Sequence, residues 1–148
     1  MMASRIRTLL LVATLAFTAV ACGHGRDWTA QPMNANGIEV VPVRVWVASG
    51  KLWFRTEVRN TGPAPIMVDR DAITLALPTG EVLRRSQSSF GGIHTPYTIP
   101  PGGSHAVYVE FLQGATRWHD VPQAQLNLTG AVTVNGQPIA IPPLVVGQ

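Results

Sequence analysis

The chain has 148 residues, 46% hydrophobic and only 13% charged, with one cysteine and a formal net charge of +3. That length suffices for one domain with a sizeable core, and a lone cysteine excludes an intrachain disulfide, so apolar burial must hold the fold. Without Arg5 and Arg7, nine basic and eight acidic groups remain, a balance that excludes the concentrated basic face needed to bind nucleic acid.

The first element is a leader over residues 1–21. Arg5 and Arg7 open it, Thr8 to Val20 are mostly apolar, and Ala19-Val20-Ala21 runs into Cys22-Gly23. The apolar run is too short for a comfortable membrane span and has the layout of a secretory signal. It resembles the signal of bacterial lipoproteins, whose lipobox ends in a cysteine that is diacylated and becomes the mature N-terminus. It departs from that pattern at Ala19, where Leu is usual, and Ala19-Val20-Ala21 also fits an A-x-A cleavage site that would release a soluble protein. An exported protein has little use for a single free thiol. Lipidation at Cys22 is therefore expected, with the membrane as partner through the lipid anchor and the cell envelope as location. Gly23 lacks the aspartate linked to inner-membrane retention in many Gram-negative lipoproteins, which points to the periplasmic side of the outer membrane.

Residues 22–37 follow as a lipidated N-terminus and a polar, turn-rich stretch without apolar period. As a flexible tether it would reach on the order of 20 Å. Trp28 and Met33 inside it would dock loosely on the domain.

Residues 38–148 read as strands. Val41, Val43, Val45 and Val47 alternate with Pro42, Arg44, Trp46 and Ala48; after Ser49-Gly50, Leu52, Phe54, Thr56 and Val58 alternate with Trp53, Arg55, Glu57 and Arg59. A two-residue turn pairs Val47 with Leu52, Val45 with Phe54 and Val41 with Val58, all on one face. Asn60-Thr61-Gly62-Pro63 ends this ribbon. Ile66 to Val68 is a short strand, and Ile73 to Leu77 turns through Pro78-Thr79-Gly80 into Glu81 to Arg85. Pro100 to Gly103 launch His105 to Leu112; Leu126 to Val134 run into the hairpin signal Asn135-Gly136, and the return strand with Ile139 and Ile141 ends at Pro142-Pro143. No helical stripe interrupts them. About eight short antiparallel strands predict an all-β fold, an immunoglobulin-like β-sandwich, with a small barrel as the other architecture.

The order Val58-Arg59-Asn60-Thr61-Gly62, Ile66-Met67-Val68, Leu75-Ala76-Leu77-Pro78-Thr79-Gly80 and Ile99-Pro100-Pro101-Gly102 resembles bacterial immunoglobulin-like envelope lipoproteins with telokin-like or immunoprotective-antigen-like domains. The resemblance spans Ile38 to Ile141 and rests on turn chemistry. It implies the sandwich fold and leaves activity open, since a fold hosts many functions.

Candidate chemistry is sparse. The G-x-S-x-G, H-E-x-x-H and P-loop signatures are missing. Ser104 and His105, adjacent in a strand, point to opposite faces, and Asp69 and Asp71 read as turn residues. Metal binding is the alternative function, a copper or zinc module drawing on His24, His94, His105, His119, Met33 and Met67. His94 and His119 are its candidates; no His-x-Met pair supports it. The candidate surface is the outer face of the first hairpin, where Trp46 lies opposite Trp53 and Arg44 opposite Arg55, with Glu57 diagonal to Arg44. It would bind an envelope protein, a peptide or a glycan, or else be covered by the Trp28 segment or by Ser86 to Thr98. That loop and Gln113 to Gln123 are long enough to carry binding function. The reading is a non-enzymatic envelope lipoprotein without a cofactor; a lipid-tethered hydrolase ranks last.

Overall fold

The structure is a computed structural model that describes residues 25–86 and 96–148. Cys22, His24 and His94 lie outside the described residues. The chain is all-β and antiparallel, with thirteen strands among the described residues rather than about eight. They are β1 (Arg26–Ala30), β2 (Met33–Ala35), β3 (Ile38–Ala48), β4 (Lys51–Asn60), β5 (Ile66–Val68), β6 (Thr74–Ala76) and β7 (Val82–Arg84). After these come β8 (Tyr97–Ile99), β9 (Ser104–Leu112), β10 (Gln123–Asn127), β11 (Val132–Val134), β12 (Gln137–Pro138) and β13 (Leu144–Gly147). Among the described residues, two 3-10 turns, Arg70–Ala72 and Trp118–Asp120, are the helical pieces.

The main hairpin forms as its turn chemistry requires. Ser49 and Gly50 take φ 51° and 73°, the two left-handed positions of a type I′ turn, and Ala48 faces Lys51. From there Val47 faces Leu52, Trp46 faces Trp53, Val45 faces Phe54 and Arg44 faces Arg55. The alternation then changes phase. Val43 is an extra residue between Pro42, which faces Thr56, and Arg44. This bulge turns Val43 outward, 52% exposed, and puts Ile38 and Val40 on the core side. Val58 consequently faces Val40 and not the expected Val41, which lies opposite Glu57.

The expected tether is a second correction. From Arg26 onward it is sheet: Arg26 and Trp28 face Val47 and Val45, and β2 pairs with β3 through a second left-handed turn at Asn36-Gly37. Trp28 is 5% exposed and stands edge-on to Trp118, rings 6.3 Å apart. Burying one indole of this size in a mixed apolar core contributes enough to hold the segment down.

Halfway along, β1 changes partners, and Thr29 and Ala30 pair with Gly147 and Val146 of β13. The pairing path therefore runs β7-β6-β10-β13-β1-β3-β4-β9, with β2 beside β3. Its two ends approach, since the Ser86 N–H donates to the Glu110 carbonyl at 2.7 Å just beyond β7. The sheet is thus nearly closed and barrel-like. A smaller sheet, β12-β11-β5-β8, covers one side.

Three further expectations change. Leu126 to Val134 is two strands in different sheets, split by a turn in which Ala131 N–H reaches the Leu128 carbonyl. The strand returning from Asn135-Gly136 is only Gln137–Pro138, and Pro142-Pro143 precedes one more strand, β13, which is central. Tyr97 and Thr98, expected in a loop, pair with β5 together with Ile99. The hairpins at Pro78-Thr79-Gly80 and Asn135-Gly136 form at the expected places.

The Asn60-Thr61-Gly62 motif has a structural reason. Asn60 is buried, its Nδ2 donates to the carbonyls of Ala64 (2.8 Å) and Ile99 (3.1 Å), and its Oδ1 accepts the Gly62 N–H. Its backbone bonds Gly102 and Gly103, so one amide side chain joins β4, the following turn and the Pro-Pro-Gly loop.

Candidate functional site

The outer face of β1, β3, β4 and β9 carries an aromatic and charged strip. Period-2 alternation with Val45 and Phe54 buried puts Trp46 and Trp53 on the opposite face. The two half-buried indoles stack, centroids 5.7 Å apart and planes 6° from parallel. The row continues on both sides, Asp27 facing Trp46 and Glu110 facing Trp53.

Cations lie against this row. The Arg44 guanidinium is 4.9 Å from the Trp46 ring and pairs with Asp27 at 3.0 Å. Lys51 Nζ is 5.2 Å from the Trp53 ring and 3.3 Å from Glu110. Arg55, exposed, lies 5.6 Å from the Tyr108 ring and makes no ion pair among the described residues. A guanidinium over an aromatic face gains ring attraction yet keeps its edge donors for a second partner. Glu110 is only 3% exposed, closed in beside Lys51, so the open part of the strip is its Arg44–Trp46–Trp53–Arg55 side.

The four strip residues named from the sequence are thus neighbours, and Trp28 does not cover them because it is in the core. Glu57 is not their counter-charge. The bulge at Val43 moves it away from Arg44, and it pairs with Arg59 at 3.0 Å, which also holds Glu39 at 3.3 Å. That arginine, with a bond from the Ser104 side chain, holds the Glu57 carboxyl below its ordinary range. Asp27 on β1 takes the place expected for Glu57.

The other candidates separate. Asp69 Oδ1 accepts the Asp71 N–H and caps the 3-10 turn, and Asp71 pairs with Arg85. Each carboxylate has a structural partner, which suits neither for acid–base work. His119 is exposed, with its Nε2 3.1 Å from Asp120, and His105 lies against the Tyr97 ring at 4.2 Å. Among the described residues no three His, Cys, Asp or Glu side chains gather into a metal site. Met33 packs on the core, whereas Met67 is exposed. Burial raises the Tyr97 hydroxyl to about 12. A surface cleft of about 500 Å³ lies between the β1–β2 connection and β13, lined by Gln31, Pro32, Met33, Pro122 and Pro143.

No family model matches the chain, and neither does any curated protein sequence. Among solved structures, the YjhA protein from Bacillus subtilis superposes with a TM-score of 0.53. The two share 14% identity over 70% of this chain and 82% of that one. Another structural-genomics target superposes at 0.41, with 12% identity over 80% of this chain and 84% of its own. The likeness to YjhA is one of fold alone.

Sequence reasoning missed Asp27, Lys51, Tyr108 and Glu110 as members of the strip. Tyr108 and Glu110 alternate with Val107, Val109 and Phe111, so their outward direction was available from period 2. That β9 lies beside β4 was not, because strand neighbours distant in sequence are set by the assembled core.

Proposed function

We propose that the protein is a cell-envelope lipoprotein, anchored through diacylated Cys22, that acts by binding and without catalysis. The leader motif supports the anchor and Gly23 the outer membrane. An immunoglobulin-like sandwich is the finer reading of the fold, supported by the switch of β1 from one set of strands to another between Trp28 and Thr29. The observation that carries the binding role is the stacked Trp46–Trp53 pair with exposed Arg44 and Arg55 at its rim. Flat apolar area beside exposed guanidinium groups suits an envelope protein or glycan that presents a flat group together with negative charge.

The test is a photo-crosslinking residue at Arg55 in intact cells, compared with one at Thr133 in the smaller sheet. A crosslinked species specific to position 55, lost in an Arg44→Glu variant of unchanged thermal stability, is the expected result. Equal labelling from both positions refutes the strip.

A further inference from the structure

The strand that begins at Arg26 shortens the distance between domain and anchor, and this decides which end of the domain meets the lipid. Gly25 is pressed against β3: a side chain there would come 2.6 Å from the Val47 carbonyl and 3.1 Å from Ala48 Cβ. The chain is thus held to the sheet as far as Gly25. Three residue steps separate Gly25 from Cys22, spanning at most about 11 Å. A long tether would leave every orientation open; this one does not.

The end of the domain at Gly25 is a plate of linked turns. The Gly50 carbonyl accepts from Gln113 N–H (2.9 Å) and from the Trp118 indole N–H (3.0 Å). Glu81, beside the Pro78-Thr79-Gly80 turn, accepts the N–H groups of Ala115 and Thr116. Its carboxylate is committed inward, and Asp120 is beside His119. Arg26 and Arg117 are exposed and make no ion pair among the described residues, and Leu112, at the end of β9, is 52% exposed. A Glu81 carboxylate taken up by backbone N–H groups, outward arginines and an exposed leucine suit an anionic bilayer surface.

We infer that, with Cys22 acylated, this end rests on the membrane, Arg26 and Arg117 against lipid phosphates and β3 and β4 rising away from it. The inference rests on the anchoring proposed above. It places Thr61, just past β4, on the order of 30 Å further out, from ten residues at about 3.3 Å each.

The test uses the full-length protein recovered from membranes. Acylation leaves Cys22 without a free thiol, so a maleimide fluorophore reports Leu112→Cys or Thr61→Cys alone. Each is reconstituted in phosphatidylglycerol–phosphatidylethanolamine vesicles containing a nitroxide headgroup lipid. Quenching at position 112 several-fold above position 61, reduced in an Arg26→Glu/Arg117→Glu variant, is the expected result. Equal quenching at both positions, or none at 112, overturns the docking while leaving the anchor standing if the mass of the N-terminal peptide shows the diacylglyceryl group. An unmodified Cys22 in that spectrum overturns anchor and docking together.

Discussion

Phe54 tests whether the core is organised as described. It is 1% exposed and sits edge-on to Phe111, centroids 5.8 Å apart at 88°, with Val45 and Val109 as cross-strand neighbours. A buried Phe→Ala change costs roughly 3–5 kcal/mol through lost transfer energy and the cavity left behind. The edge-to-face pair with Phe111 contributes about 0.5–1.5 kcal/mol of its own, which keeps Phe54→Ala off the bottom of that range, at about 4 kcal/mol. Against a total stability of roughly 5–15 kcal/mol, that is a large fraction. For a domain of this size it corresponds to a melting temperature roughly 12–20 °C lower. Urea unfolding followed by tryptophan fluorescence should show a lower midpoint with the slope unchanged. A cycle of Phe54→Leu and Phe111→Leu should return a coupling near 1 kcal/mol. A loss below about 1.5 kcal/mol for Phe54→Ala, or no coupling, would mean that the ring is not packed where the sheet puts it.

Tyr97→Phe removes a buried hydroxyl that has no hydrogen-bond partner among the described residues, so it should be neutral or stabilise by up to about 1 kcal/mol. The same variant has a pH signature: with the folded hydroxyl at about 12 against an ordinary 10.0, both states are protonated below 10. Between 10 and 12 the unfolded chain loses its proton first, so wild-type stability falls there and the Tyr97→Phe curve is flatter, measured by urea unfolding at pH 9 and pH 11. Glu81 is held below its ordinary 4.5, chiefly by the Ala115 N–H. Its contribution is therefore full above 4.5 and fades as pH falls below, and Glu81→Gln should lessen that acid loss in melts between pH 5 and pH 3. Deleting Val43 removes a bulged, exposed residue and leaves every β3–β4 pair intact, so circular dichroism should show a folded protein. Deleting Thr56 from β4 shifts the register of half that strand and should prevent folding.

What could be read from the sequence was local. Ser49-Gly50, Pro78-Thr79-Gly80 and Asn135-Gly136 carry their turn geometry in the residues themselves, and each forms the hairpin expected of it. Asn36-Gly37 carries the same signal but borders a stretch with too little apolar period to be taken for strands, since β1 and β2 bury only Trp28 deeply. Leu144 and Val146 do alternate with exposed Val145, yet two prolines before them read as a stop. The bulge at Val43 was hidden because Val41, Val43, Val45 and Val47 keep one unbroken period-2 phase across it, while Ile38 and Val40 offer the other. Core packing chose the phase. Of the strip, the within-hairpin pairs followed from the turn, whereas Asp27, Tyr108 and Glu110 came from strands whose adjacency only the closed sheet determines.

The strip and the core are two readings of one register. The turn at Ser49-Gly50 that places Val45 against Phe54 also places Trp46 against Trp53, and β9 matches both, bringing Val109 to Phe54 and Glu110 to Trp53. A slip of one residue would expose the phenylalanines and bury the indoles with their cations, an arrangement disfavoured on both faces. The bulge lies one residue past Arg44, where it changes the phase of β3 without disturbing these pairs. Its effect on charge is specific: it separates Glu57 from Arg44, and Arg44 instead meets Asp27 on β1. The acidic end of the strip therefore exists only once β1 has docked. Placing Asp27 at the end of this row makes a docked β1 a condition for the ion pair of Arg44, a coupling that a loose tether would not create.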